Sequence, residues 1–350
     1  MAAAVRGRFR VFGAGRMHER PIAGLTSALE RLGVRFRFEG KPGCPPFVME
    51  CDELLHGETE VSLEESSQYL SGLLMAAPLI LTGKVTISIA GGKAVSWPYV
   101  ALTLKILSDF KIAFAVESLQ DGEWKRVPWR TLKSVVPGQV RFSVKPGQYA
   151  PCRYRVEGDW SNGSYFLAAG AVGPNPVRVE GLRVDSLQGD RAVLDILTRM
   201  GAKAAWDENS VTLSPGRLAG IDVDMGSCPD LVPTVAVAAA FAKGQTTIRN
   251  VAHLRIKESD RLAALAAEIR KVGCGIEVLP DGLAITPAPL PKSGRIAFAT
   301  HSDHRLAMST SLFGLAGIEA VHDLPSCVAK SFPGFFAQWG KVLAAARGEA

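Results

Sequence analysis

One design recurs three times along the chain, and it limits the possible folds more than any other feature. Ile22, Leu25, Leu29 and Leu32 follow one another at spacings of three, four and three residues and run straight into Gly33. Leu262, Leu265, Ile269 and Val272 repeat the spacing before Gly273, and Val193, Ile196 and Met200 do so in shorter form before Gly201. A cation precedes the last apolar residue each time: Arg31, Lys271 and Arg199. Apolar residues at this spacing line one face of a helix, and a cation in the last turn suits the negative end of the helix dipole. A following glycine can take the left-handed conformation that closes the helix. Strand-like runs come next, such as Val34–Phe38 and Gly275–Leu279.

Between these surface helices lie segments of a second kind, rich in small residues and apolar nearly all round. They start near Ser66 (SSQYLSGLLMAA), Ser161 (SNGSYFLAAGAV), Asp230 (PDLVPTVAVAAAFA) and Asp303 (DHRLAMSTSLFGLA). A helix with an apolar circumference must be buried. Strand signals follow at Lys84–Ala90, Pro176–Val179 and Gln245–Asn250. The alternation is buried helix, strand, surface helix, strand, which packs helices inside a shell of sheet in an α/β-type fold. At the front, Arg8–Phe12 and the Ile22 helix supply only the second half of such a unit. The expectation is therefore a chain incomplete at its N-terminus, with a divergent capping unit as the alternative. The stretch Leu119–Tyr154, rich in Lys, Arg, Pro and Gly, gives way to Val156-Glu157-Gly158-Asp159. A boundary near Glu157 divides the chain into domains 1–157, lacking its first unit, and 158–350.

A length of 350 residues, 47% of them hydrophobic, supports two domains. The apolar runs Leu70–Leu81 and Leu231–Ala242 fall short of the roughly 20 residues of a membrane helix. Met1–Arg10 lacks the apolar stretch of a secretory signal. A soluble, cytoplasmic protein is expected. Six cysteines (Cys44, Cys51, Cys152, Cys228, Cys274, Cys327) show no CxxC pairing and read as free thiols. Six histidines form no HxxxH or HExxH spacing, so a metal site has no support. A net charge of +6 suits an anionic small molecule, and the dense basic clusters of nucleic-acid binding are missing.

Several polar residues stand where buried helices begin. Ser66-Ser67-Gln68 offers hydroxyls and free N–H groups to a phosphate or carboxylate, although serine caps are common there. In Arg255-Ile256-Lys257-Glu258-Ser259-Asp260-Arg261, the spacing puts Lys257 and Arg261 on one face at a helix start. Cations are unfavourable there unless an anion offsets them. Glu258 beside them can take or give a proton. Arg305, in Asp303-His304-Arg305, heads an apolar helix and needs a partner. Asp230 after Pro229 reads equally as an N-cap. Arg16 and Arg20 flank His18-Glu19, and Lys330 precedes the last helix. Gly13-x-Gly15 lacks the third glycine of a dinucleotide loop, and Gly91-Gly92-Lys93 reads as a hairpin turn.

Taken in order, RMHERPI, ESSQYLSGLLMAAPL, SWPY, VEGDWSNGSYFLAA, CPDLVPTVAVAAAFAKG, LRIKESDRL, SDHRLAMS and CVAKSFPGFF resemble the enolpyruvyl-transferase family. Within it, the SSQ, KESDR and DHR strings favour the shikimate-pathway members. The resemblance implies two similar domains of repeated βαβαββ units, an inside-out α/β barrel type, closing over substrate. It implies transfer of an enolpyruvyl group from phosphoenolpyruvate to the 5-hydroxyl of shikimate 3-phosphate, toward chorismate and the aromatic amino acids. It implies a monomer, no metal or organic cofactor, and no nucleic-acid or membrane partner. By the same resemblance Arg16, Gln68, Arg261, Arg305 and Lys330 contact phosphoenolpyruvate. Ser66, Ser67, Gln68, Ser96, Tyr99, Asp230, His253 and Lys257 surround shikimate 3-phosphate. Asp230, Glu258 and Lys257 are the candidate acid and base. His253 stands where an asparagine is usual, and Trp97 where a basic residue is common. The family's lysine-serine motif and its Asn-Ala-Gly-Thr helix start have no counterpart, so the chain alone is expected to be weakly active or inactive. The competing expectations are a transferase acting on UDP-N-acetylglucosamine, and a non-catalytic remnant or piece of a split enzyme.

Overall fold

A computed structural model describes residues 2–13, 15–52, 56–79 and 83–349. Contacts divide the chain into two compact units, Met1–Tyr154 and Arg155–Ala350. The first unit opens with strand β1 (Gly7–Val11), helix α1 (Ala23–Glu30) and strands β2 (Arg35–Phe38) and β3 (Phe47–Cys51). Strand β3 pairs antiparallel with both others, giving the order β1-β3-β2. Next come β4 (Gly57–Leu63), α2 (Gln68–Ala76), β5 (Val85–Ala94), α3 (Trp97–Asp109), β6 (Phe114–Gln120), β7 (Glu123–Arg126) and β8 (Val140–Val144). They form a sheet of order β4-β5-β8-β6-β7, with β4 parallel to β5 and β8 antiparallel between β5 and β6.

The second unit repeats both patterns. Helix α4 (Trp160–Val172) precedes β9 (Val177–Glu180), α5 (Val193–Met200), β10 (Lys203–Trp206) and β11 (Ser210–Ser214), in sheet order β10-β11-β9. Then β12 (Asp222–Asp224), α6 (Val232–Ala240), β13 (Thr246–Arg249), α7 (Arg261–Arg270), β14 (Gly275–Leu279) and β15 (Gly282–Thr286) follow. Their sheet runs β12-β13-β15-β14, the order of β4-β5-β8-β6. The chain continues through β16 (Arg295–Phe298), α8 (His304–Thr310), β17 (Glu319–His322) and α9 (Phe335–Arg347), with β16 parallel to β17. Strand, helix, parallel strand, then an antiparallel strand inserted between the two is therefore the repeated element.

The glycines end the surface helices as expected. Val34 N–H bonds to Leu29 O and Gly33 N–H to Glu30 O; Ala202 and Gly201 make the same pair of bonds to Leu197 and Thr198. This double closure needs a left-handed residue, and Gly33, Gly201 and Gly273 have φ of +97°, +122° and +89°. A fourth copy was not visible in the glycine pattern. Helix α3 closes through Ile112 N–H to Leu107 O and Lys111 N–H to Ser108 O, and Lys111 takes the left-handed position at φ +63°.

Burial follows the two helix types. Every residue of α6 is buried, packed on α4, α7 and α8, and the Ser164 and Thr234 hydroxyls meet at 2.9 Å inside that layer. In the first unit Leu70, Leu74 and Leu104 of α2 and α3 are fully buried with Ile87 and Phe142 of the sheet. One local expectation changes. Gly91-Gly92-Lys93 is no hairpin turn: it bulges out of β5, since Ser62 pairs with Ala90 but Leu63 with Ala94. Glu64 Oε1 accepts from Gly92 N–H at 2.6 Å and fixes the bulge. The Lys- and Pro-rich stretch from Leu119 holds β7 and β8 and is part of the sheet. Residues 80–82, at the end of the apolar run from Leu70 to Leu81, and Met1 lie outside the described residues. Among the described residues no helix is long and apolar enough to cross a membrane.

Topology sets the site. A helix joining neighbouring parallel strands runs antiparallel to them, so its N-terminus lies at the strands' C-terminal edge. The starts of α2 and α3 share that edge of the first unit's sheet, and those of α6 and α7 share it in the second unit.

The glycine closures can be told apart by mutation. A Cβ on Gly33 meets nothing within 4 Å, whereas one on Gly201 falls 2.4 Å from the Arg217 carbonyl oxygen. Gly33→Ala should lower stability by about 1 kcal/mol, the left-handed penalty alone, and Gly201→Ala by about 3 kcal/mol, measured by urea unfolding. Equal losses would mean that the clash at Gly201 relaxes freely.

Candidate active site

Arg261 is the first residue of α7, and its side chain is 2% exposed. A guanidinium that far from water is tolerable only with its donors matched by anions. Nε donates to Asp303 Oδ2 at 2.7 Å, Nη1 to Asp230 Oδ1 at 3.0 Å and Nη2 to Glu258 Oε2 at 2.9 Å. Asp303 is fully buried and caps α8, accepting from Arg305 N–H at 3.0 Å; Ser259 Oγ also donates to it. Asp230 receives a second arginine, since Arg305 Nη2 donates to its Oδ2 at 2.8 Å. Lys330, in the turn before α9, pairs with Glu258 Oε1. Asn162, at the start of α4, donates to the carbonyl of Ser331 beside that lysine. The starts of α4, α6, α7 and α8 thus converge on one group of charges.

Burial alone would raise the Asp230 carboxyl, but the charges of Arg305, Arg261 and Lys257 outweigh it and hold the carboxyl well below the usual range. Burial likewise opposes ionisation of Glu258, and Arg261 and Lys330 overcome it, lowering its pKa to about 2. Burial, aided by the charge of Arg305, pushes the His304 imidazole down to about 4. In this state both carboxylates are held by cations and are weak bases. An anion that drew the arginines away would strengthen them.

The second unit brings together Asp230, Glu258, Arg261, Arg305 and Lys330, with Lys257 close enough for its charge to act on Asp230. Lys257 and Arg261 do not share a helical face: Lys257 is extended (φ −83°, ψ −153°), and α7 begins only after Asp260, whose side chain caps it. Asp230 is no N-cap, because its carboxylate is taken by two arginines. His253 is buried in the short turn Ala252–Ile256. Asp303 is the residue that sequence reasoning passed over. The available signal was an aspartate two places before a buried arginine.

In the first unit, Ser66 Oγ accepts from Gln68 N–H at 3.2 Å, Ser67 is buried, and both precede α2. Ser96 precedes α3 with a left-handed backbone, φ +57°, and its carbonyl accepts from Tyr99 N–H. Thr103 Oγ1 donates to Ser71 Oγ at 2.8 Å, tying the two parallel helices together. The two serine groups therefore lie at the starts of neighbouring helices. Arg16 pairs with Glu19 at 2.6 Å. Among the described residues no group of three or more His, Cys, Asp or Glu side chains could hold a metal.

A family model described as EPSP synthase (3-phosphoshikimate 1-carboxyvinyltransferase) matches residues 1–339. The 3-phosphoshikimate 1-carboxyvinyltransferase of Thiobacillus denitrificans is 41% identical over 340 residues, which are 96% of this chain and 74% of that protein. Its counterpart in Burkholderia lata is 40% identical over 338 residues, 94% and 73% respectively. Among solved structures, the EPSP synthase of Acinetobacter baumannii aligns with a TM-score of 0.70 at 23% identity, covering 97% of this chain and 74% of that one. The enolpyruvyl transferase NikO of Streptomyces tendae gives 0.67 at 18%, with the same coverage. At those identities the structural likeness bears on the fold.

Two measurements test the charge group. Arg261→Ala leaves Asp303 buried without its guanidinium and should cost about 3–5 kcal/mol in urea unfolding. His304 and Glu258 bind protons less readily folded than unfolded, so both favour the folded state at high pH. The urea midpoint should fall as pH drops from 6.5 toward 4 through His304, whose ordinary value is 6.5, and from 4.5 toward 2 through Glu258, whose ordinary value is 4.5. Glu258→Gln should make the lower limb shallower; an unchanged slope would contradict the assigned shift.

Proposed function

The chain belongs to the EPSP synthase family and is an enolpyruvyl transferase of the shikimate pathway, and from that premise we propose how its residues divide the work. Arg261, Arg305 and Lys330 of the second unit take the phosphate and carboxylate of phosphoenolpyruvate. Ser66, Ser67, Gln68, Ser96 and Tyr99 of the first unit offer hydroxyl, amide and helix-start donors to shikimate 3-phosphate. The observation that carries this reading is the shared grip of Arg261 and Arg305 on Asp230, with Lys330 on Glu258. These cations are matched by the protein's own carboxylates, and planar guanidinium forks suit a substrate carboxylate or phosphate equally well.

In the reaction the 5-oxygen of shikimate 3-phosphate bonds to C2 of phosphoenolpyruvate while its proton passes to a base and C3 gains a proton. The adduct then loses a C3 proton, and the C2–O bond to phosphate breaks. Asp230 and Glu258 are the proton carriers, with Lys257 beside Asp230. A bound dianion competes for the arginines that now depress these carboxylates. Their pKa values then rise toward the range where a carboxylate is an effective base, so substrate binding itself prepares the catalyst.

Phosphate release by the purified chain, given phosphoenolpyruvate and shikimate 3-phosphate, tests the reading. Release that vanishes in Asp230→Ala supports it; release only with UDP-N-acetylglucosamine, or a folded chain that neither releases phosphate nor binds phosphoenolpyruvate, overturns it. Arg305→Ala should raise the KM for phosphoenolpyruvate about 10- to 100-fold, the worth of one charged hydrogen-bonding group. An unchanged KM would remove Arg305 from that site.

A further inference from the structure

Asp303 reaches Arg261 from a short turn, residues 299–303, whose backbone is unusual. His301 and Ser302 have φ of +51° and +55°, two consecutive non-glycine residues in the left-handed region. Asp303 N–H closes the turn on Thr300 O at 2.8 Å. Such a conformation persists only where its surroundings over-determine it. Two carboxylates do so here. Asp323 Oδ1 accepts from Thr300 N–H at 2.8 Å. Glu268 Oε2 accepts from Ala299 N–H at 2.9 Å and from Lys271 Nζ at 2.7 Å, while its Oε1 lies 3.2 Å from His301 Nε2. The Glu268 side chain is 2% exposed, although nothing in the proposed chemistry uses it.

Glu268 stands seven residues after Arg261, two turns along the same face of α7. Helix α7 therefore grips the turn at both ends, through Arg261 on Asp303 and through Glu268 on Ala299 and His301. Resting on the reading of the arginine cluster as the phosphoenolpyruvate site, we infer that Glu268 is a positioning residue, which sets Arg261 and Arg305 for the anion by holding the 299–303 turn in its left-handed form. Asp303 is the link: it orients the Arg261 guanidinium and caps the helix that carries Arg305. A merely structural carboxylate would affect stability and all kinetic constants together. A positioning one affects the anion site first, and its loss is repaired by relieving the turn.

The experiment compares Glu268→Ala, Glu268→Gln and Glu268→Ala combined with Ser302→Gly, each in the full chain. Glutamine keeps an acceptor for Ala299 N–H and should stay near wild type. Alanine should raise the KM for phosphoenolpyruvate about tenfold, with kcat and the KM for shikimate 3-phosphate within about threefold. Glycine at 302 adopts the left-handed backbone without support, so the double variant should recover most of that loss. Hydrogen exchange at Ala299 and Thr300, read in parallel, should speed up by at least about tenfold in Glu268→Ala. A uniform loss across kcat and both KM values, or a glycine that rescues nothing, overturns the inference. A wild-type chain that neither releases phosphate nor binds phosphoenolpyruvate would sink the functional reading instead. The exchange data then decide alone, and unchanged protection at Ala299 and Thr300 would end the positioning role.

Discussion

A single buried cation organises the second unit. Removing a guanidinium from water is strongly unfavourable, and Arg261 is tolerated because three carboxylates from three segments meet it. Asp230 follows β12, Glu258 follows β13 and Asp303 precedes α8. Each arrives where a helix begins, so the positive ends of α6, α7 and α8 point at the carboxylates and favour them. Arg305 and Lys330 add charge from the rim. The fold is thereby pinned at the edge where topology already gathers the helix starts.

The same group is held in an unproductive balance. Carboxylates clamped by arginine are stable, oriented and poor at taking protons. On the proposed reading, an incoming dianion re-partners the arginines and hands the carboxylates back their basicity. On that reading, ion pairs that stabilise the folded chain without substrate become, in its presence, the reserve from which both binding and acid–base power are drawn. Stability and reactivity here are two states of one set of charges.

Much of this was legible in the sequence, for identifiable reasons. Helix closure by glycine is local chemistry, so Gly33, Gly201 and Gly273 marked their helices correctly. Helix α3 escaped because Lys111 occupies the left-handed position that glycine advertises elsewhere. The glycines at 91 and 92 misled in the opposite sense, since a bulge and a hairpin turn have the same local composition and only the pairing of β4 with β5 separates them. Spacing placed Lys257 and Arg261 on one helix because the cap at Asp260 was not weighed against the four-residue interval. The partners of Arg261 were beyond local reading: Asp230 and Asp303 lie 31 and 42 residues away. An arginine in need of anions could be foreseen, but which anions could not.

The strand order has a consequence for how the chain acquires its structure. In each repeated element the last strand made sits between the first two, so those two have no hydrogen-bonded neighbour in each other. In the sheets β1-β3-β2 and β10-β11-β9, an element lacking that strand has a helix and two separate ribbons, whereas β5 and β13 already pair with β4 and β12. Those two three-stranded sheets must therefore condense in one step, once the final strand has emerged, and long-range closure rather than helix formation sets the pace. In the five-stranded sheet of the first unit, β6 pairs with β7 before β8 exists, so β8 is the strand that joins a β4–β5 pair to a β6–β7 hairpin.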